Sequence, residues 1–376
     1  FNVTVAGKLY QFQKPVLYKY TDPVKGELYQ PIQMVNPVFI NSSPSILIFR
    51  NDVKKQQKTI RYSIRTNTLL NDKVRFVCRY NGREVLAFDS VVNYKKGSST
   101  DVDVIINSDS VKSNSTLLAG GVLSAPSLYE HQFFSLRKIS YDHIPDIYYN
   151  YYDQARVIKM DLQTKGRLIG YIAGAGDKIP QALEAMGYEV SVLTEEDITD
   201  ENLLKFDAII TGIRAYNIHE YLSNKNDILN RYVKNGGNLI VQYLKSNFVG
   251  QKKIVAGPYP FAIESGARVT EEDAPVEFLL PGHPALNYPN KITGKDFENW
   301  VQERSTYQVV KPGENFVMPL GMNDKGGTQS NGSLAIAKYG KGNFVYASLV
   351  FFRQLPAGVP GAYRLLANLL ALPKNK

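Results

Sequence analysis

The chain has 376 residues, enough for two or three domains, and its 44% hydrophobic and 21% charged residues are typical of a globular protein. No window approaches eighteen consecutive apolar residues, so we expect no membrane span. The net charge of +9 lies mostly in residues 1–160, where 21 Lys and Arg face 13 Asp and Glu. A basic half would suit an acidic glycan or a nucleic acid. Its basic pairs lack interleaved aromatics, so we favour a solubilising surface and expect no nucleic-acid partner.

Residues 1–35 are rich in Pro and Tyr with little periodicity, which predicts an extended connector. The first residue is Phe1 rather than Met, so we expect a fragment of a longer precursor whose targeting information has been lost. From 36 to 160, short alternating runs separated by turn residues predict an antiparallel β-sandwich of the immunoglobulin-like type. The single cysteine, Cys78, alternates with apolar residues in one of these runs and is predicted to lie in the core.

From 165 to 376 the pattern changes to strand, loop and helix. Apolar runs at 167–173, 206–210 and 238–241 predict strands, and 179–186 and 223–234 have helical spacing. Repeated βαβ units of this kind predict a mainly parallel sheet covered on both faces.

Polar and aromatic residues collect where these predicted strands end. The carboxyl ends of parallel strands meet at one edge of a sheet, which is where such folds build their sites. Aromatic rings beside Arg, Gln and Asn suit sugars, whereas a hydrogen-bonded network that braces the loops remains an equal alternative. The candidate binding residues are Arg214, Tyr216, Asn217, Gln242, Tyr243, Trp300, Glu303, Arg304 and Arg353.

Familiar catalytic and cofactor patterns are missing from the same loops. Gly174-Ala-Gly-Asp177 follows a strand, but position 179 is Ile where a dinucleotide fingerprint needs its third glycine, and Asp177 is predicted to cap a helix. There is no Gly-x-Ser-x-Gly elbow, and the four histidines have no ligand spacing. We therefore predict no catalytic residue, no metal site and no cofactor in this chain.

Several stretches carry a family resemblance that spans nearly the whole chain. The chain resembles the C-terminal, non-catalytic region of bacterial PIG-L/LmbE-like N-deacetylases, and its second half is similar to a flavodoxin-like, class I glutamine amidotransferase-like fold without the catalytic cysteine. The stretches are Tyr20–Tyr29, Ile139–Pro145, Gly170–Asp177, Gly212–Asn217, Arg268–Pro275, Asp296–Arg304 and Phe351–Arg364.

The resemblance implies a parent enzyme that removes acetyl groups from N-acetylated sugars. Its zinc would be held by an Ala-His-Pro-Asp-Asp-Glu type motif in an N-terminal domain, and no His of this chain is followed by Pro-Asp-Asp. The resemblance therefore implies an accessory region whose partner is an N-acetylated glycan or its own deacetylase domain. It also implies a periplasmic or extracellular location, whereas the oligomeric state stays open.

Two alternatives remain open. The first is a cryptic hydrolase that uses Glu303 or His283 at the top of the α/β sheet. The second is a purely structural or dimerisation module.

Overall fold

The computed structural model describes residues 1–128, 134–141 and 143–374. They form a β-rich, multi-sheet structure that divides into two compact units. The first unit is Phe1–Ser45, Gln57–Ile106 and Leu117–Ala155, and the second is Ile46–Gln56, Asn107–Thr116 and Arg156–Lys376. The predicted division into 36–160 and 165–376 therefore differs from the structure, because three short segments before residue 165 pack with the second unit. No helix in the described residues has the length and apolarity needed to cross a membrane.

The first fourteen strands lie before residue 161. In chain order, β1 to β14 are Asn2–Val5, Lys8–Gln11, Leu17–Asp22, Gly26–Pro31, Val38–Ser43, Ile46–Arg50, Gln57–Thr66, Leu70–Tyr80, Arg83–Tyr94, Ser99–Asn107, Ser115–Ser124, Phe134–Tyr141, Ile144–Tyr152 and Gln154–Met160.

The segment predicted as an extended connector forms two β-hairpins instead. Strand β1 pairs with β2 and β3 with β4, both antiparallel. Gly7 and Gly26 adopt left-handed backbone conformations in the two turns, with φ of 75° and 78°. Glycine reaches this region without the steric cost of a Cβ atom, so the two turns can form.

The first unit contains two sheets that pack face to face. One has the order β10-β7-β5, and in the other β8 pairs with both β9 and β11. The ring of Tyr62 on β7 meets that of Phe76 on β8 edge-on at 5.3 Å, and the Tyr62 hydroxyl lies 3.1 Å from Cys78 Sγ. The core position predicted for Cys78 is confirmed: the thiol is buried, and burial raises its pKa.

The second unit contains thirteen further strands and all the α-helices of the described residues. Strands β15 to β27 are Leu168–Ile172, Glu189–Leu193, Ala208–Thr211, Asn238–Gln242, Phe248–Val249, Lys252–Lys253, Phe261–Ile263, Val276–Phe278, Val309–Pro312, Phe316–Val317, Leu320–Met322, Leu334–Tyr339 and Gly342–Ala347. Helices α1 to α8 are Ile179–Met186, Asp200–Leu203, Ala215–Ile218, Tyr221–Asn224, Asn226–Lys234, Pro284–Asn287, Phe351–Gln354 and Pro360–Leu370.

A seven-stranded sheet organises this unit in the order β16-β15-β17-β18-β27-β26-β24. Its first five strands are parallel, as the sequence predicts. Strand β26 pairs antiparallel with β27, and β24 pairs antiparallel with β26. Apolar residues of α1 and α8 pack on one face, and those of α5 pack on the other. Because both faces are covered, polar side chains reach solvent mainly at the sheet ends.

The loops after β15 and β17 approach each other closely. The amide of Ala175 donates to Ile213 O at 2.8 Å, and the amide of Gly212 donates to Ile172 O at 2.7 Å. A Cβ atom on Gly174 would collide with Ile213 O, and one on Gly212 would lie 2.5 Å from the Tyr171 hydroxyl. Gly174 is therefore required for contact between the two loops, and Gly176 has a left-handed backbone with φ of 99°, so neither glycine needs a phosphate ligand to explain it.

Replacing Gly174 by Ala is expected to destabilise the protein by about 2–3 kcal/mol, since a rigid backbone carbonyl stands where the methyl group would go. Gly282→Ala is the matched control, because a Cβ there meets nothing within 4 Å. Urea unfolding monitored by far-UV circular dichroism measures both. Equal midpoints for the two variants would contradict the close approach of the loops.

Candidate functional site

A buried carboxylate lies between two arginines at the carboxyl edge of the seven-stranded sheet. Glu303 Oε2 accepts a hydrogen bond from Arg268, and Glu303 Oε1 lies 3.1 Å from a terminal nitrogen of Arg353. The Glu303 side chain is 4% exposed, whereas those of Arg268 and Arg353 are 46% and 32% exposed. The carboxylate thus anchors two guanidinium groups that remain open to solvent.

Short backbone bridges bring these three residues together. Ser305 forms isolated β-bridges with Val269 on one side and Leu349 on the other. The segment that carries Glu303 is therefore held between the segment of Arg268 and the end of β27, which leads into Arg353 on α7. The glutamate meets both arginines because residues close to it in sequence pair with residues close to each arginine.

An aromatic stack lies against this ion pair. The ring of Tyr243, just after β18, stacks on Tyr307 at 5.6 Å with a 9° interplanar angle, and contacts Phe352 at 5.4 Å. The guanidinium of Arg353 lies 5.0 Å from the centre of the Phe352 ring. Tyr243 is buried, which raises the pKa of its hydroxyl, whereas Tyr307 and Phe352 are half-buried and keep accessible ring surface.

Arg214 completes this group from the loop after β17. Its amide donates to Tyr243 O at 2.9 Å, and its charge favours the ionised form of Tyr243 and so opposes the rise in that pKa. We call Glu303, Arg214, Arg268, Arg353, Tyr243, Tyr307 and Phe352 the Glu303 cluster.

Several buried polar atoms in and beside the Glu303 cluster have no hydrogen-bond partner among the described residues. They are Nε of Arg214, Nε of Arg353, Oγ1 of Thr211 and Oε1 of Gln242. Buried polar groups in folded proteins are nearly always paired, so four unpaired atoms at one sheet edge indicate a missing ligand or solvent.

Backbone strain is concentrated around the same residues. Among the described residues from 156 onward, the non-glycine residues with positive φ are Arg214, Asn299, Gln302 and Tyr307, at 59°, 59°, 68° and 53°. A left-handed conformation is costly for a bulky side chain such as tyrosine. The surrounding contacts therefore impose these conformations, a pattern that is common in binding loops.

The side chain of Gln354 holds the backbone of Val301 and Glu303 in place. Its side-chain oxygen accepts from the amide of Val301 at 2.8 Å, and its nitrogen donates to Val301 O at 2.8 Å and to Glu303 O at 3.3 Å. Because Gln354 is fully buried, it fixes the backbone on which the Glu303 side chain stands.

The structure brings some of the predicted residues together and separates others. Arg214, Tyr243, Glu303 and Arg353 meet in the Glu303 cluster. Tyr216 does not contribute to the site, because its side chain extends from α3 into the core and is fully buried there. Tyr216 lies only two residues after Arg214 in the sequence. Side chains two residues apart on a helical turn do not face the same way, so the two do not share a site.

Trp300 and Arg304 lie in a different place from the cluster. Both line a surface cleft of about 680 Å³ together with Phe297, and both are almost fully buried at its base. The Trp300 indole donates to Asp296 O at 2.9 Å, and Arg304 donates to the carbonyls of Ala274 and Phe297. These two side chains stabilise the loops rather than present a free aromatic surface.

Asn217 and Gln242 are bracing residues. Asn217 accepts from the Lys245 amide at 2.7 Å and donates to the carbonyls of Ser246 and Phe248, so it fixes the loop after β18. Gln242 donates to Thr211 O at 3.0 Å. For these residues the network interpretation describes the contacts better than direct ligand binding.

Asp177 fills the position where a phosphate would lie in a dinucleotide site. Its carboxylate accepts from the amides of Ile179 and Ile213 at 3.1 and 2.9 Å, and from the Tyr171 hydroxyl at 2.8 Å. The predicted cap is therefore present, although Asp177 precedes the formal N-cap, Lys178, by one residue. The Asp177 carboxylate thus accepts hydrogen bonds from the backbone amides that a bound anion would otherwise use.

Three members of the cluster, Arg268, Tyr307 and Phe352, are absent from the predicted binding residues. Phe352 adjoins the predicted Arg353, whereas Arg268 and Tyr307 have no such neighbour. Neither directly follows a strand of the parallel sheet, so the rule of strand ends does not find them. Arg268 begins one of the stretches that carry the family resemblance, which was the available signal. No comparable signal exists for Tyr307, since only the folded structure shows its stacking and positive φ.

In the part of the chain that the structure describes, no group of three or more His, Cys, Asp or Glu is placed to hold a metal ion. No protein-family model and no curated protein sequence matches the chain.

Solved structures of carbohydrate-active enzymes show distant likeness. The β-galactosidase from Rahnella sp. R3 is 18% identical over 57% of this chain and 32% of that one, with a TM-score of 0.36. A family 123 glycoside hydrolase from Clostridium perfringens is 9% identical over 61% and 42%, with a TM-score of 0.22. The β-glucuronidase of Parabacteroides merdae is 9% identical over 58% and 35%, with a TM-score of 0.21.

The matches thus span less than half the length of each of these proteins. At identities and TM-scores this low, the likenesses assign no function to the chain, and the proposals below rest on its own residues.

Replacing Gln354 by Leu is expected to destabilise the protein by about 2–4 kcal/mol, because it removes the partner that Gln354 supplies to the part-buried amide of Val301 and to the carbonyl of Glu303. Gln251→Leu, at an exposed position, serves as the control and should change stability by less than about 0.5 kcal/mol. Chemical denaturation measures both free energies. A Gln354→Leu variant as stable as the control would show that the bracing contacts are unimportant.

His283 is expected to make stability depend on pH. Its Nδ1 accepts from the Ala285 amide at 3.1 Å and caps α6, and burial, assisted by Lys338, lowers its pKa from 6.5. The unfolded chain therefore takes up a proton first as the pH falls below 6.5, so stability is full above that pH and declines below it. The decline should be about 0.5–1 kcal/mol, the usual contribution of an N-cap.

His283→Asn keeps a capping oxygen and removes the titration. Unfolding free energies measured between pH 8 and pH 5 should therefore decline less in this variant than in the parent. Parallel pH profiles would contradict the capping role and leave His283 free for the hydrolase alternative.

Proposed function

We propose that this chain binds carbohydrate without converting it, as the accessory region of a PIG-L type N-deacetylase, and that the Glu303 cluster is its binding site. The observation that supports the proposal is that charged residues from separate segments of the chain meet at one place. The four charged members of the cluster come from four separate stretches of the family resemblance: Arg214 from Gly212–Asn217, Arg268 from Arg268–Pro275, Glu303 from Asp296–Arg304 and Arg353 from Phe351–Arg364.

The chemistry of the cluster suits a sugar. The half-buried rings of Tyr307 and Phe352 offer apolar faces, and the guanidinium groups of Arg268 and Arg353 offer donors beside them. Sugar rings combine an apolar face with a hydroxylated rim, so they use both kinds of surface. Positioning N-acetylated glycan for a deacetylase domain, or bracing that domain, is the role proposed for the chain.

The finer fold assignments are part of the same proposal. The first unit would be an immunoglobulin-like sandwich, and the second a flavodoxin-like, class I glutamine amidotransferase-like domain. The parallel strands β16-β15-β17-β18-β27 follow the order 2-1-3-4-5, which supports the flavodoxin-like assignment.

The hydrolase alternative receives less support from the geometry. Both oxygens of Glu303 contact a guanidinium group, so neither is free to exchange a proton with a substrate. A carboxylate held in this way acts as a counter-ion that positions its arginines. His283 is occupied as a helix cap.

Titration of the protein with an N-acetylglucosamine oligosaccharide should show saturable binding and no product. Phe352→Ala should weaken binding about tenfold, because a stacking contact contributes roughly 1–1.5 kcal/mol. Phe352→Tyr keeps the ring and should bind as the parent does. Isothermal titration calorimetry measures the affinities, and chromatography of the mixture detects any product.

Two outcomes would contradict the proposal. Absence of binding to any oligosaccharide and to a separately expressed deacetylase domain would remove the accessory role and favour the structural or dimerisation alternative. Turnover that disappears in Glu303→Gln would favour the hydrolase.

A further inference from the structure

The arginines of the Glu303 cluster keep hydrogen-bond donors that no group in the described part of the chain uses. A guanidinium has five N–H donors in a fixed fork, and the contacts of Arg268 and Arg353 with Glu303 each involve one terminal nitrogen. In addition, Nε of Arg353 and Nε of Arg214 are buried without a partner. The site therefore offers donors to an acceptor-rich ligand that the protein does not itself supply.

The carboxylate of Glu303 is shared between two guanidinium groups. Arg268 and Arg353 both pair with it, and the carboxylate of Asp324 lies near Arg268. The Asp324 carboxylate is saturated, since it accepts from the amides of Thr270 and Glu271 at 2.8 and 2.9 Å. Two guanidinium groups share the single charge of Glu303, so an anionic group on the ligand would complete the charge pairing of these arginines.

The geometry of the donors and of the neighbouring rings indicates which kind of anion would bind. Arginine forks match planar carboxylates through two parallel hydrogen bonds, and such charge-assisted pairs are the strong ones. The rings of Tyr307 and Phe352 lie on the flanks of the same arginines, so an apolar ring face belongs beside the anion. A free inorganic anion would leave those ring faces unused, whereas a sugar acid would use both features.

We infer that the Glu303 cluster selects a sugar residue that carries a carboxylate, of the uronic-acid type. The carboxylate pairs with Arg353 and Arg268, and the sugar ring packs against Phe352 or Tyr307. This inference rests on the proposed carbohydrate-binding function and names the class of sugar for that site.

Two ligands that differ only in charge test the inference: an oligogalacturonate and its methyl ester. The acid should bind roughly 10–100-fold more tightly than the ester, as expected for hydrogen bonds to a charged partner. Its affinity should fall as salt is raised from 50 to 500 mM (roughly spanning the screening range), whereas that of the ester should not.

Variants of Arg353 test whether this residue causes the preference for the acid over the ester. Arg353→Gln should lower affinity for the acid about tenfold and leave the ester within about twofold. Arg353→Lys keeps a charge beside Glu303 and guards against misfolding, and it should fall between the parent and Arg353→Gln because it lacks the fork. Arg231→Gln, which disrupts an exposed pair with Asp200, is the matched control and should bind as the parent does.

The possible results separate the two proposals. Equal affinity for acid and ester overturns the sugar-acid inference and leaves carbohydrate binding in place. Displacement of the acid by inorganic phosphate at equal concentration also overturns the inference, because it would show a simple anion site. Failure of the acid, the ester and N-acetylated oligosaccharides to bind overturns the carbohydrate-binding function itself.

Discussion

The pairing of buried Glu303 with two arginines is the constraint on which the sheet edge depends. A carboxylate that is almost fully excluded from water needs charged partners, and Arg268 and Arg353 approach it from separate segments of the second unit. Those segments are joined through the backbone bridges of Ser305 and through the side chain of Gln354. The electrostatic requirement of one residue thus determines where three loops meet.

The proposed ligand site lies away from the usual position for this kind of sheet. In open parallel sheets the usual position is the gap between the loops where the strand order reverses, which is between β15 and β17. That gap is closed by the contact of Gly174 with the backbone of residues 212–213, and the Asp177 carboxylate occupies its amides. The accessible donors and ring faces lie further along the edge, beyond β17, β18 and β27. Under the proposed function, the fold keeps a binding edge although its usual site is filled by its own side chains.

Sequence periodicity predicted the parallel sheet and the edge at which Arg214, Tyr243 and Arg353 meet, because strand ends are local features. Glu303 was also among the predicted residues, although it directly follows no strand of this sheet. The periodicity did not separate surface from core within that edge, since Tyr216, Trp300 and Arg304 are almost fully buried. It also placed a connector where two hairpins form, since glycine turns joining exposed strands lack a strong apolar pattern. Arg268 and Tyr307 reach the site only through tertiary pairing, which no local pattern encodes.

A crystal structure of the protein soaked with an oligogalacturonate tests the central claim most directly. The account predicts a sugar carboxylate within hydrogen-bond distance of Arg353, a sugar ring on Phe352 or Tyr307, and Glu303 still paired with both arginines. Sugar density away from the Glu303 cluster would contradict the account. So would a complex in which Glu303 leaves its arginines and contacts the anomeric carbon, because the residue would then act as a catalytic group.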